Sequence, residues 1–158
     1  MELNQIHELY LSCSAISTDT RNIETGAMFF ALKGPSFNGN KYALNAIDKG
    51  AKFAIVDEVS VPLNDKIIQV DDVLTTLQDL ARFHREYLGL PIIALTGSNG
   101  KTTTKELINK ILQQRYKTIA TNGNLNNHIG VPLTLLRMTI DTEIGIVEMG
   151  ANHAKEIE

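Results

Sequence analysis

An apolar run, Ile92-Ile93-Ala94-Leu95, stops at the string Thr96-Gly97-Ser98-Asn99-Gly100-Lys101-Thr102-Thr103-Thr104, and a helical pattern, Glu106-Leu107-Ile108-Asn109-Lys110-Ile111-Leu112, follows at once. A strand, a phosphate loop and a helix in that order commit this part of the chain to an α/β layer with its ligand beyond the strand's carboxyl end. Gly97 and Gly100 permit the backbone angles and close approach that a cradle of N–H groups requires. The helix that follows adds roughly half a positive charge at its N-terminus. Gly97, Ser98, Asn99, Gly100, Lys101, Thr102 and Thr103 are therefore the candidate nucleotide-binding residues, with Lys101 reaching the terminal phosphates and the Thr102 hydroxyl ligating Mg²⁺. The common form of this loop has a further glycine five residues before Gly100, and here Leu95 stands in that place. The loop is thus a shortened variant, and an ordinary strand-to-helix turn with an exposed lysine is the competing reading.

The second half of the chain continues in the same manner. Lys117 to Ala120 reads as a strand, Val131 to Met138 as a short helix with Pro132 in its first turn, and Glu143 to Met149 as a last strand with an apolar run before Glu148. Strand, helix, strand, helix, strand implies a parallel sheet with right-handed crossovers. Three polar segments then fall at the carboxyl ends of its strands: the phosphate loop, TNGNLNNH from Thr121 to His128, and Glu148 to His153.

In the first half, Leu3, Ile6, Leu9 and Tyr10 are spaced as a short amphipathic helix, and residues 17 to 21, STDTR, read as a loop. Ala27 to Leu32 reads as a strand closed by Lys33-Gly34-Pro35, Phe37 to Asn40 as a polar loop, and positions 42 to 47 as a helix ending at Gly50. Lys52 to Val56 and Ile67 to Val70 are buried-strand patterns. Asp71 or Asp72 is placed to cap a helix whose apolar face runs from Val73 to Leu88, and Gly89 to end it. That helix is the expected junction between a domain over 1–88 and another over 89–158.

Net charge of −3 and a pI near 5.8 give no general attraction for nucleic acid or anionic membrane, so any phosphate binding is local. Cys13 is the sole cysteine, which excludes an internal disulfide and fits a reducing compartment. No run approaches the roughly 18 apolar residues that a membrane span needs, and no leader pattern is present. A cytoplasmic location and a monomer are expected.

Two polar constellations remain. Asn122, Asn124, Asn126, Asn127 and His128 crowd a segment bracketed by Gly123 and Gly130, more amide groups than one turn requires. They read as a neutral hydrogen-bonding site for a polar or phosphorylated ligand, with a plain turn as the alternative. Glu148, an acidic residue ending an apolar strand near a phosphate loop, is the candidate to hold Mg²⁺, against a merely solvated strand end. His153 is open between ligating a metal, orienting an acidic group and simply entering the next helix.

Taken together, STDTR (17–21), GAMFFALKG (26–34), TGSNGKTTT (96–104), TNGNLNNHIGVPLTLL (121–136) and EMGANH (148–153) resemble the Mur ligase family of peptidoglycan synthesis, in the family's order. The Asn126-Asn127 pair and the 148–153 string are most similar to the member that joins D-alanyl-D-alanine to UDP-N-acetylmuramoyl-tripeptide. The resemblance implies an α/β fold: a small N-terminal domain gripping the UDP precursor, then the start of a P-loop-type parallel-sheet ATPase domain. It implies ATP and Mg²⁺, and contacts to the UDP precursor from Thr18, Thr20, Arg21, Lys33, Asn38, Asn126 and Asn127. It implies catalytic roles for Lys101, Glu148 and His153. Relatives often have Asp-Gly-His where this chain has Asn38-Gly39-Asn40. The likeness covers the first domain and the opening of the second, so the chain is expected to be an N-terminal fragment with little or no turnover of its own. Two other readings are a free-standing P-loop regulatory ATPase and a ligase similar to folylpolyglutamate synthetase.

Overall fold

A computed structural model describes residues 1–62 and 64–150. The chain divides into two compact units, Met1–Leu80 and Ala81–Glu158, and the division falls within one helix.

The first unit opens with α1 (Leu3–Leu11), whose Ile6 and Tyr10 are buried one turn apart. Its main sheet has β1 (Ile16–Ser17), β2 (Met28–Phe30), β5 (Phe53–Val56) and β6 (Ile67–Gln69) side by side in chain order, all parallel. Met28, Phe29 and Phe30 are fully buried, so β2 is covered on both faces, as an unbroken apolar triplet requires. Each such side chain contributes roughly 1.5–3 kcal/mol by leaving water. Phe29 packs with Ala54, Val56 and Ile67 of the sheet and with Ala43 and Ala46 of α2 (Ala43–Asp48). The small alanines let the helix approach closely.

Two expectations for this unit need correction. Ser17 belongs to β1 rather than to a loop, its partner being Phe29 on β2. Residues 37–40 are not an irregular loop: Lys33–Gly34 (β3) and Phe37–Asn38 (β4) form a small antiparallel hairpin, followed by a 3₁₀ turn at Gly39–Tyr42. Alternation of polar residues over so few positions leaves no apolar period to announce it. Gly39 is required here, because a Cβ would stand 2.6 Å from the Ala31 carbonyl carbon and the Leu32 oxygen.

The helix α3 (Val73–Leu88) is capped by Asp72, whose Oδ1 accepts the Thr75 N–H at 2.7 Å. That bond holds the Asp72 carboxyl below its ordinary value. Val73, Leu77, Leu80 and Ala81 are buried on one face, and Gly89, at φ 61°, ends the helix as the sequence leads one to expect.

The second unit has a three-stranded parallel sheet of β7 (Ile92–Leu95), β8 (Thr118–Ala120) and β9 (Ile144–Glu148), with β9 in the centre. Its central place accounts for the burial of Gly145 through Glu148. The crossovers are α4 (Lys101–Leu112) and α5 (Gly130–Leu135). Helix α4 starts at Lys101, before the apolar period of 106–112 begins, because its first turn is made by the phosphate loop's own threonines. Among the described residues no helix is long and apolar enough to cross a membrane.

Gly130 is pressed against the preceding loop, where a Cβ would stand 2.4 Å from the Leu125 carbonyl carbon and oxygen. Gly130→Ala should therefore cost about 3 kcal/mol in chemical denaturation; an unshifted midpoint would contradict this packing. His84 is buried, its Nε2 lies 2.9 Å from the Met138 carbonyl oxygen, and burial holds its pKa below 6.5. As pH falls, the unfolded chain takes up this proton before the folded one. Stability is thus fully present above pH 6.5 and declines as pH falls from there through the folded-state pKa. Thermal unfolding scanned downward from about pH 7.5 should show that decline, and His84→Gln should flatten it; an equal slope in the variant would reject the assignment.

Candidate functional site

The strand register of the second sheet brings the predicted polar segments to one end. Leu95, the last residue of β7, is the Cα partner of Glu148 on β9, and the Met149 N–H donates to the Leu95 carbonyl at 2.8 Å. The loop that starts at Thr96 therefore begins beside Glu148. Gly97 (φ 143°) and Gly100 (φ 76°) adopt backbone angles that side-chain-bearing residues rarely reach, and Gly100 leads directly into α4. No acidic side chain sits in the first turn of α4, so its free N–H groups and dipole remain available to an anion. The Lys101 ammonium folds back over this loop and donates to the Gly97 carbonyl. Ser98, Asn99, Thr102 and Thr103 are exposed around it.

Glu148 is the meeting point. It is 1% exposed, and its Oε1 accepts from the Thr102 hydroxyl at 3.1 Å and from the Asn126 side-chain amide at 2.7 Å. Its N–H donates to the Thr121 hydroxyl at 2.9 Å. The other carboxylate oxygen, Oε2, is buried without a hydrogen bond and lies 4.0 Å from the Lys105 ammonium. One oxygen is thus clamped by the phosphate-loop helix and the asparagine loop, while the other keeps its lone pairs. A carboxylate and the threonine hydroxyl bonded to it are both hard oxygen donors, so Glu148 and Thr102 have the chemistry of the expected Mg²⁺ pair. Among the described residues no group of three or more His, Cys, Asp or Glu gathers for a metal.

The asparagine loop is built as a folded scaffold. Leu125 N–H donates to Asn122 O and Asn126 N–H to Asn124 O, while Gly150 N–H donates to Asn126 O at 2.7 Å. Asn127 Oδ1 accepts from the N–H groups of Ile129 and Gly130 and so starts α5. Both asparagines expected to meet the precursor therefore also shape the loop. His128 is exposed, and His153 lies outside the described residues.

Lys105 was not singled out from the sequence, yet it is fully buried, donating to Thr121 O at 2.7 Å and Gly123 O at 3.0 Å. A lysine between exposed helix positions carries no sequence sign of this. Only its spacing, one turn beyond Lys101, was available as a hint.

In the first unit, the candidates again lie past the carboxyl ends of parallel strands. Thr18, Thr20 and Arg21 follow β1, whereas Lys33 and Asn38 belong to the hairpin after β2. Arg21 is exposed and forks onto Asp19, holding that carboxyl down to about 2. Lys33 pairs with Asp57 at 3.1 Å, which raises the lysine's pKa. Asp57 is almost wholly buried and also accepts from the Asn40 amide at 2.8 Å, while Asn38 donates to Glu58 at 2.7 Å. Asp57 and Glu58, at the end of β5, are the residues that sequence reading missed here. Their position after an apolar strand was the available signal, the same one that marked Glu148.

Comparison with known proteins agrees with this organisation. Residues 12–85 match the Mur ligase family catalytic domain, and residues 95–158 match the Mur ligase middle domain. The UDP-N-acetylmuramoyl-tripeptide--D-alanyl-D-alanine ligase of Bacillus subtilis is 43% identical over 90% of this chain, and that of Escherichia coli 42% over 93%. Each match spans 32% of the relative, so the chain covers about a third of the length of these curated relatives. Among solved structures, the corresponding ligase of Acinetobacter baumannii superposes with a TM-score of 0.84 at 35% identity, over 98% of this chain and 37% of that one. MurF from Thermotoga maritima, solved in complex with ADP, gives 0.82 at 31% identity, over 94% of this chain and 34% of that one. With both family models matched in order and the α/β units of such ligases reproduced, this chain belongs to the Mur ligase family, of which it carries N-terminal and middle-domain sequence.

Proposed function

We propose that these residues serve an ATP-dependent ligase that joins D-alanyl-D-alanine to UDP-N-acetylmuramoyl-tripeptide. The observation that carries this reading is the shared carboxylate of Glu148, bonded at once by Thr102 of the phosphate-loop helix and by Asn126 of the asparagine loop. A phosphate-holding segment and an amide-rich segment meet on one acidic group. That is the arrangement needed where a phosphoryl donor must face a second, anionic substrate. The names of the relatives from Bacillus subtilis and Escherichia coli, and the ADP in the Thermotoga maritima structure, support the same substrates.

In this reading the amides of residues 97–102 and the Lys101 ammonium hold the β- and γ-phosphates of ATP. Thr18, Thr20, Arg21, Lys33 and Asn38 bind the UDP part of the precursor, and Asn126 and Asn127 the muramoyl part. The precursor's terminal carboxylate attacks the γ-phosphorus and ADP leaves, giving an acyl phosphate. The amine of D-alanyl-D-alanine then attacks the activated carbonyl and phosphate departs. Glu148 and Thr102 would hold Mg²⁺, which when bound supplies positive charge against the phosphate oxygens. His153 joins them as a proposed catalytic group. The precursor domain is assigned to 1–88 and the ATP-binding part to 89–158, with a monomer in the cytoplasm.

A regulatory ATPase is less well supported, since it gives Asn126 no reason to share the carboxylate with Thr102. The experiment is a ligase assay on the protein at the full length of its relatives, with ATP, UDP-N-acetylmuramoyl-tripeptide and D-alanyl-D-alanine. Lys101→Ala should lower turnover about 10²–10³-fold, as loss of one charge-stabilising donor does. Near-normal turnover in that variant would reject the role of Lys101, and nucleotide hydrolysis indifferent to the precursor would reject the ligase.

A further inference from the structure

Lys105 is a fully buried cation for which the proposed reaction has no use. Its ammonium has three N–H donors. Thr121 O at 2.7 Å, Gly123 O at 3.0 Å and Glu106 Oε1 at 2.9 Å supply three acceptors. Glu148 Oε2, at 4.0 Å, receives the charge but no proton. The same ammonium thus fastens the chain just after β8 and faces the carboxylate at the end of β9 without occupying its free oxygen.

The loop it fastens leads to Asn126, which bonds Glu148 through its side chain and Gly150 through its carbonyl. The phosphate loop itself, residues 96–100, makes none of these bonds with Lys105. From this division we propose that Lys105 is a positioning residue for the second substrate: a buried ammonium that clamps the Thr121–Gly123 carbonyls and so holds Asn126 in place for the UDP-linked sugar peptide, while leaving the nucleotide loop to stand alone. The proposal rests on the ligase reading for the identity of that substrate. A cation is the fitting clamp, because two carbonyls and two carboxylates converge there: it offers three donors and offsets the carboxylate charge, whereas an apolar side chain of that length offers neither.

Lys105→Met keeps the length of the side chain and removes its donors, and it is compared with the unaltered 158-residue chain. Titration with UDP-N-acetylmuramoyl-tripeptide should weaken about 10-fold or more, as misplacement of a binding group does, while titration with ADP in the absence of Mg²⁺ should stay within about twofold. Amide exchange should quicken at Asn126 and Gly150 but not at Thr104, whose N–H donates to Gly100 O inside α4. Equal weakening for both ligands would mean a general structural role and overturn the proposal, as would unchanged precursor affinity. If the unaltered chain binds ADP but no precursor, the exchange rates decide whether the clamp exists, and the full-length ligase assay decides the ligase reading. Should Lys105→Met fail to fold, the unaltered chain decides. Its Asn126 and Gly150 amides should exchange as slowly as that of Thr121, which bonds Ile146 O in the sheet; exchange at free-loop rates would overturn the clamp.

Discussion

The second unit depends on a carboxylate placed at the end of its most buried strand. Burying an ionised group is costly unless it is bonded and charge-compensated. Glu148 meets that cost with a threonine hydroxyl, an asparagine amide and a nearby ammonium drawn from two different connections of the sheet. The phosphate-loop helix and the asparagine loop are consequently located relative to each other by Glu148, which both of them bond, and by Lys105, which reaches from the one to the carbonyls of the other. Its second oxygen is buried without a hydrogen bond and is compensated only by the charge of Lys105.

The first unit uses the same physical rule with different residues. Asp57 ends a buried strand, accepts from Asn40 and pairs with Lys33, fixing the hairpin that carries two of the proposed precursor contacts. In both units, an acidic residue at the carboxyl end of a parallel strand gathers donors from neighbouring connections. A parallel sheet favours this, since every strand delivers its following loop to the same edge. Arg21 contrasts with Lys33: its partner Asp19 lies in the same exposed loop, so that pair orders only its own turn.

Much of the architecture was legible from pattern alone. The apolar runs at 28–30, 53–56 and 144–147, the Asp72 cap and the Gly89 stop all lie where sequence reading puts them, because each depends on a few neighbouring residues. Illegible were the β3–β4 hairpin, too short to show a period, and the early start of α4, where threonines form the first helical turn without an apolar signal. Of the site, the phosphate loop, Glu148 and the asparagines could be named in advance, since their residue types carry chemistry. Lys105, Thr121 and Asp57 could not, because their importance lies in partners 16 or more residues away.

By itself, then, the chain's order of residues determined the strands, the helices, the glycine-hinged phosphate loop and the end of the sheet at which polar groups collect, since all of these follow from local periodicity and backbone freedom. Only the tertiary structure decided that β9 runs between β7 and β8, that Thr102 and Asn126 share one oxygen of Glu148, and that a lysine is sealed beneath them. Those outcomes are set by which strands pair and by how a buried charge finds its partners, and neither is encoded in the spacing of any short stretch of sequence.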